Sequence, residues 1–190
     1  MAEMNAISRF FVNRSAARRS RRRLRWFQAT AEVPPSAVCL EIGSGNGEFA
    51  DQFLTAFHPA RYVATDLDPR QLEEARRHLL KRHESGLPAT LDLRPADMTA
   101  LPFSDASFDV VFAFVCLHHA GATHRDFSRV PIALGEIDRV LRDGGRLAYS
   151  EILHQEAIRA WLVKHRYELS GIERRFRVES VVARKPRTVG

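Results

Sequence analysis

Cysteine is nearly absent from this chain: Cys39 and Cys116 are the only two, and both lie inside apolar runs. That excludes a disulfide framework and suits a reducing compartment, so a cytoplasmic protein is expected. No apolar run approaches the ~20 residues that span a bilayer. The N-terminus lacks the apolar core of a secretory signal, so none is expected. Internal repeats are missing, and the one low-complexity tract is "RRSRRR". What is there is 190 residues of 45% hydrophobic content, enough for one globular unit with a full core.

Acid is what the N-terminal stretch lacks. Residues 4–31 contain no Asp or Glu but eight arginines: Arg9, Arg14, Arg18, Arg19, Arg21, Arg22, Arg23 and Arg25. They carry +8, which leaves −2 for the rest of a chain whose net charge is +6. The chain therefore divides into a cationic arm, residues 1–36, and a near-neutral body. Such an arm is drawn to anionic surfaces, whether lipid, nucleic acid or an acidic ligand. A solvated helix face in an arginine-biased protein accounts for the same residues. An organelle transit peptide shares this composition, and Glu3 counts against it. An apolar seam at Phe10, Ala17, Leu24 and Phe27, with Asn13 and Ser20 between, has helical spacing. Pro34 and Pro35 are expected to end that helix.

Beyond the arm, strand and helix patterns alternate. "AVCLEI" reads as a buried strand, and "EFADQFLTAFH" puts Phe49, Ala50, Phe53, Leu54 and Phe57 on one helical face. "RYVATD" is a second strand. "PRQLEEARRHLLKRH" is a helix with Pro69 in its first turn and Asp68 as cap. "ATLDLRPAD" and "FDVVFAFV" are the third and fourth strands, the last so apolar that it must be central. The looser "CLHHAGATHRDFSRV" precedes a helix, "PIALGEIDRVLRDGG", with a glycine stop. "RLAYSEIL" is a fifth strand, "QEAIRAWLVKHR" a helix, and "YELSGIERRF" with "RVESVVARK" a closing strand pair. This pattern predicts an α/β fold with a mainly parallel sheet covered on both faces. Ligands in such sheets sit beyond the carboxyl ends of the strands, where the strand order reverses.

The first strand runs into "GSGNGEF". A dinucleotide fingerprint wants glycines at positions one, three and six. Gly43 and Gly45 fill the first two, but the sixth is Glu48, and the third glycine comes early at Gly47. A carboxylate there also disfavours a diphosphate on the helix N-terminus. The P-loop pattern fails, because no Lys-Ser/Thr follows. The stretch "LEIGSGNGEF" instead resembles the first motif of class I S-adenosylmethionine-dependent methyltransferases. "VATDLDP" is similar to the second motif. "PADMTALPFSDASFDVVFAFVCLHH" and "EIDRVLRDGGRLAYSE" resemble later regions of the family's small-molecule and lipid branch, in register from about Ala37 to Lys185.

The resemblance implies a Rossmann-like, doubly wound, seven-stranded sheet over residues 37–190, with an antiparallel C-terminal strand and S-adenosyl-L-methionine as cofactor. Gly43, Ser44, Gly45 and Gly47 would form the loop that approaches it. Asp66, at the end of strand two beside Leu67, would accept from the ribose hydroxyls. Asp97 would take the adenine amino group and Met98 would lie against the ring. Phe114 and Val115 would hold the methionine part through backbone atoms. Glu41 would organise the loop or meet the cofactor's ammonium, since a buried carboxylate is costly unless paired.

For catalysis, alignment of the acceptor is the main task, and a hydroxyl acceptor also wants a base. His118 and His119, after strand four, are the candidates, with at most one of the two expected to reach the acceptor because adjacent side chains diverge; a structural role for both is the alternative. Glu151 and His154 are further candidates. Cys116 reads better as a small buried hydrophobe than as a nucleophile. No metal site is expected, because His118, His119 and His124 lack a clean ligand spacing. An Asn/Asp-Pro-Pro-aromatic signature is absent after strand four, which argues against methylation of adenine bases. The expected acceptor is a small molecule or lipid headgroup. The arm would contact an anionic membrane peripherally, with Phe10, Phe11, Trp26 and Phe27 entering the interface. Nucleic-acid-directed methylation and a non-catalytic scaffold are the competing readings. Oligomeric state is not legible.

Overall fold

The computed structural model describes residues 16–31, 33–83 and 86–187. Phe10, Phe11, Asn13, Arg9 and Arg14 of the expected arm lie outside them. Seven strands form one sheet: β1 (Val38–Ile42), β2 (Arg61–Asp66), β3 (Leu91–Pro95), β4 (Phe108–Phe114), β5 (Leu141–Glu151), β6 (Glu168–Arg175) and β7 (Val178–Arg184). Their order is β3-β2-β1-β4-β5-β7-β6. The first five run parallel, and β7 pairs antiparallel with both β5 and β6. The order reverses between β1 and β4, where Leu40 lies beside Val111 and Ile42 beside Ala113. The helices are α1 (Ala16–Thr30), α2 (Glu48–Phe57), α3 (Pro69–Arg82), α4 (Val130–Val140) and α5 (Gln155–Lys164). No helix among the described residues is long and apolar enough to cross a membrane.

Strand periodicity splits the core in two. Leu40, Ile42, Val111, Ala113 and Leu147 face α4 and α5, meeting Leu134, Ile137, Ile158 and Leu162. Cys39, Tyr62, Val110, Phe112 and Phe114 face the other way, against Phe49 and Phe53 of α2 and Leu24 and Phe27 of α1. Phe112 is the hub of that second layer. The rings of Phe27, Phe49 and Phe53 lie 5.0, 5.1 and 5.0 Å from it, at steep angles. Edge-to-face pairs of this kind add about 0.5–1.5 kcal/mol each beyond burial.

Three expectations change. The buried edge of α1 is Ala16, Ser20, Leu24 and Phe27, not a seam through Ala17, because a 4-4-3 spacing keeps one face aligned over three turns. The helix stops at Thr30, before the prolines, where the Thr30 hydroxyl turns back to the Trp26 carbonyl. Finally, the helix before β5 ends at Val140. "LRDGG" belongs to the strand, since Leu141 is fully buried opposite Phe108 and a bulge follows.

Neither described aromatic of the arm is available to a membrane. Phe27 is wholly buried. The Trp26 indole N–H donates to the Gly171 carbonyl at 2.7 Å. Gly171 sits where the β6–β7 register shifts, at φ +57, and a Cβ there would come within 2.7 Å of the Thr30 side chain. β6 thus holds the C-terminal end of α1, whose buried edge rests on α2 and Phe112.

Glu41 lies buried beside the aromatic layer, where the Tyr62 hydroxyl donates to its Oε2 at 2.8 Å. Burial pushes this carboxyl up from the ordinary 4.5 to about 8, against the opposing pull of Tyr62 and Arg23. Folding therefore takes up a proton in that interval. The associated stability is fully present below about pH 4.5 and is lost as pH rises through about 8. Glu41→Gln keeps an acceptor for Tyr62 but cannot ionise. The melting temperature of the variant relative to wild type should rise steadily from pH 4.5 to 8; a constant difference would refute the buried, proton-holding carboxyl.

Candidate active site

β1 and β4 end side by side, and the chain turns sharply after each. A Cβ on Gly43 would come 2.7 Å from the Cys116 Cβ, so the glycine loop can rest on the turn after β4 only without a side chain there. Gly45 differs: it is also at positive φ, but a Cβ would meet nothing within 4 Å, so its outer side faces open space. The loop is pinned to β2. Ser44 N donates to the Thr65 carbonyl and Gly45 N to Asp66 Oδ2, each at 2.9 Å. Asp68 N donates to Asp66 Oδ1 at 3.0 Å. Each Asp66 oxygen keeps a further lone pair for a ligand hydroxyl. Burial raises this carboxyl's pKa, opposed by those N–H groups. The buried Ser44 Oγ has no hydrogen-bond partner. An orphaned hydroxyl beside an open glycine, whose N–H orders the Asp66 carboxylate, fits a polar ligand with vicinal hydroxyls. Glu48 opens α2, buried and paired with His78 and Gln52, which leaves no room for a diphosphate.

Glu41 and Asp97 need separate comment. Glu41, expected at the loop or the cofactor, turns its carboxyl to Tyr62 within the sheet layer; its carbonyl accepts from the Thr65 hydroxyl. Asp97 follows β3, joined to the end of β2 by Ala96 N donating to the Asp66 carbonyl. Its Oδ1 accepts from the Thr99 N–H and hydroxyl at 2.8 and 2.7 Å. Burial pushes its pKa up, but the Thr99 bonds and Arg129 outweigh that and hold it below the usual value. Oδ2 lies 3.9 Å from Arg129 and is open to a further donor. Met98 packs against the core beneath, and Leu67 is 40% exposed beside Asp66.

At the end of β4, Val115 has φ +57, a left-handed conformation that is costly for a β-branched residue. Its N–H donates to the Ser150 carbonyl at 2.7 Å, which fixes the turn. Over the Phe114 ring lies the Arg23 guanidinium, 4.9 Å from the centroid. Burial brings Arg23 down to about 10, with Arg19 pulling the same way and Glu41 against it, so it stays charged. The sequence reading missed Arg23 among eight similar residues. The available signal was its place one turn before Phe27, flanking the buried edge of α1.

The histidines were expected to diverge and do not. The 3₁₀ turn Leu117–His119 sets the two rings 4.1 Å apart at 36°. The loop that follows brings His124 to 5.3 Å from His118 and 4.6 Å from His119. His118 is buried, His119 partly exposed and His124 exposed. The carboxylate of Glu151, fully buried at the end of β5, accepts from His118 Nδ1 at 2.7 Å and from the backbone N–H of Leu117 and Ile152 at 2.8 and 3.1 Å. Burial, with His118 and His124 adding to it, lowers His119 to about 4, so it is neutral in neutral solution. His154 anchors the loop through a hydrogen bond from Nε2 to the His124 carbonyl. Cys116 donates to the Ile42 carbonyl, and burial keeps it a thiol, so it packs and does not attack. The glycine loop, Asp66, Asp97, Phe114 and the histidines thus share one end of the sheet.

Comparison with known proteins agrees with this geometry. Residues 40–149 match the family described as "Methyltransferase domain". The chain is 35% identical over 124 residues to a phthiotriol/phenolphthiotriol dimycocerosates methyltransferase of Mycobacterium leprae, covering 65% of this chain and 41% of that protein. It is 33% identical over 117 residues to a malonyl-[acyl-carrier protein] O-methyltransferase of Methylococcus capsulatus, covering 62% and 38%. The chain thus spans about two fifths of these relatives. In fold it is similar to the N-methyltransferase NodS of Bradyrhizobium japonicum bound to S-adenosyl-l-homocysteine, with TM-score 0.69, 17% identity and 97% and 90% of the two chains covered. A SAM dependent methyltransferase of Aquifex aeolicus gives TM-score 0.67 at 15% identity over 87% and 88%. With the methyltransferase domain matched over residues 40–149 and a seven-stranded sheet flanked by helices in place, the chain belongs to the class I S-adenosylmethionine-dependent methyltransferases.

Proposed function

We propose that the chain methylates an oxygen of a lipid or small-molecule acceptor, with the Glu151–His118 pair taking up the acceptor's proton. The observation that carries this is the buried pair itself, at 2.7 Å, two residues beyond the Cys116 turn that supports the glycine loop. The relatives named for lipid and acyl-carrier substrates support the acceptor class.

S-adenosylmethionine, when bound, supplies a methyl group on a sulfonium that is already activated for in-line displacement. The chain's residues divide the rest of the work. Gly45 would admit the cofactor close to backbone, while Gly43 closes the loop on Cys116 and Gly47 closes it on Ala75 of α3. Asp66 would accept from its ribose hydroxyls, Asp97 Oδ2 would take the adenine amino group, and Met98 and Leu67 would flank the ring. Ser44 and Arg23 would serve the polar groups of the methionine part, Arg23 its carboxylate, with Phe114 and Val115 supplying the backbone turn there. His118, oriented through Nδ1, offers its Nε2 lone pair to the acceptor hydroxyl; the Glu151 carboxylate then stabilises the imidazolium. His119 lies beside it as a neutral hydrogen-bond partner. Residues 1–36 act as a cap over a domain of residues 37–190. Arg18, Arg21 and Arg25 are exposed on α1 away from its buried edge, which supports contact with an anionic membrane surface where a lipid acceptor resides.

Three measurements follow. In calorimetry, Asp66→Ala should weaken S-adenosylhomocysteine by about 1.5–3 kcal/mol, the worth of hydrogen bonds to a charged group, and Arg23→Met should weaken it in the same direction; wild-type affinity in both would remove the assignment. With radiolabelled S-adenosylmethionine and a panel of hydroxylated lipids and acyl carboxylates, His118→Asn, whose amide N–H takes the Nδ1 position and still donates to Glu151, should lower kcat ~10²–10⁴-fold at unchanged cofactor affinity. An unaltered kcat would make His118 structural. Sedimentation with vesicles should show binding to anionic but not zwitterionic lipid, weakening with salt; salt-sensitive RNA binding without vesicle preference would turn the arm towards nucleic acid.

A further inference from the structure

We infer that His118, His119 and His124 bind one divalent transition-metal ion of the zinc class, with Glu151 as the carboxylate behind the first ligand. The inference rests on the reading of this cluster as the acceptor end of the site.

Two groups of three metal-ligating side chains gather among the described residues. In one, Glu48, Asp51 and His78, the carboxylates are already engaged. Glu48 holds Gln52, His78 and Arg82, and Asp51 holds Arg82 and His83. An ion there would have to displace a guanidinium. In the other, three imidazoles face one another, and one ring nitrogen of each lies within 4.8 Å of the other two.

Nitrogens bound at the usual ~2.0–2.1 Å around a tetrahedral ion sit ~3.4 Å apart. Closing the remaining gap takes rotation of the partly exposed His119 and the exposed His124, and leaves buried His118 where it is. The orientation of His118 is already set. Its Nδ1 is committed to Glu151 Oε2 at 2.7 Å, which leaves the lone pair on Nε2. This is the carboxylate–histidine arrangement that fixes the tautomer and raises the basicity of a metal ligand. Glu151 is held in turn by the Leu117 and Ile152 N–H groups. His124 is presented by a loop that Asp126 ties through Ala122 N and Ser128 N, and that His154 ties at the His124 carbonyl.

The donor set selects the ion. Three imidazoles suit zinc, cobalt, nickel or copper, whereas magnesium and calcium want oxygen. Three protein ligands leave the fourth position open, as in sites that hold a reacting oxygen and unlike closed structural sites. In the loaded protein the His118 Nε2 lone pair is spent on the ion, so the Glu151–His118 pair is the base of the metal-free chain only, and its place facing the acceptor oxygen is taken by the ion. Its charge lowers the acceptor's pKa, and the acceptor's proton leaves to water.

The test is equilibrium dialysis of the untagged full chain, stripped with chelator and then titrated with zinc, with metal counted by mass spectrometry. Cobalt(II) absorption is the second readout, and S-adenosylhomocysteine binding is measured on the same samples. Wild type should take up one zinc per chain. His124→Ala, at an exposed position outside the cofactor loop, should weaken zinc ~10-fold or more and leave S-adenosylhomocysteine binding intact. Glu151→Gln should weaken zinc about 10–100-fold, and His78→Ala should not change it. A wild-type chain that binds S-adenosylhomocysteine but takes up no zinc overturns the metal site and leaves the methyltransferase assignment standing. Equal zinc affinity of wild type and His124→Ala overturns the ligand set.

Discussion

The contact between Gly43 and the turn after β4 is the constraint on which the rest of the site depends. A methyl group at Gly43 would stand 2.7 Å from the Cys116 Cβ. Because that methyl is missing, the loop after β1 and the turn after β4 close on each other at the point where strand order reverses. Everything polar is then arranged around that closure. Asp66 ties the loop from one side, through Gly45 N. Glu151 ties the turn from the other, through Leu117 N. Ligand groups on one side of the contact and the histidines on the other are thereby held by neighbouring strand ends, which are stiffer supports than free loops.

Much of this was legible in the sequence, for identifiable reasons. Strand and helix periods are local properties, so β1, β2, β4, α2 and α3 appear close to where "VCLEI", "RYVATD", "FDVVFAF" and their neighbours put them. Asp68 caps α3 by accepting from Arg70 N, as a short acid before Pro69 should. The glycine loop was legible because its residue types answer a steric demand. What was not legible depends on contacts far apart in sequence. Arg23 is one of many arginines until Phe114 lies beneath it. His124 is five residues from His119, a separation with no ligand pattern, until Asp126 and His154 bend the loop back. The end of α4 was misplaced because "DGG" is a sound helix stop locally. Pairing with β4 over Leu141 overrides it.

Three carboxyls of the central strands differ in their donors. Glu151 has three, Asp66 two N–H groups, and Glu41 only the Tyr62 hydroxyl beneath the charge of Arg23. Glu151 and Asp66 end β5 and β2, on the side of the site. Glu41 lies buried beside the aromatic layer, and burial holds a proton on it. At Asp66 two N–H donors work against burial; at Glu41 a single hydroxyl does not offset it.

The seat of α1 also sets an order of events during synthesis. Trp26 bonds to Gly171, 145 residues later, and Phe27 packs on Phe53 and Phe112. The helix leaves the ribosome long before either partner strand exists. Its apolar edge is only four residues wide and its remaining face is strongly cationic, so by itself it has little reason to collapse or to stay helical. Its seat is therefore complete only when the final hairpin is in place: Phe53 and Phe112 hold the middle of the helix, and Gly171 closes the Trp26 side.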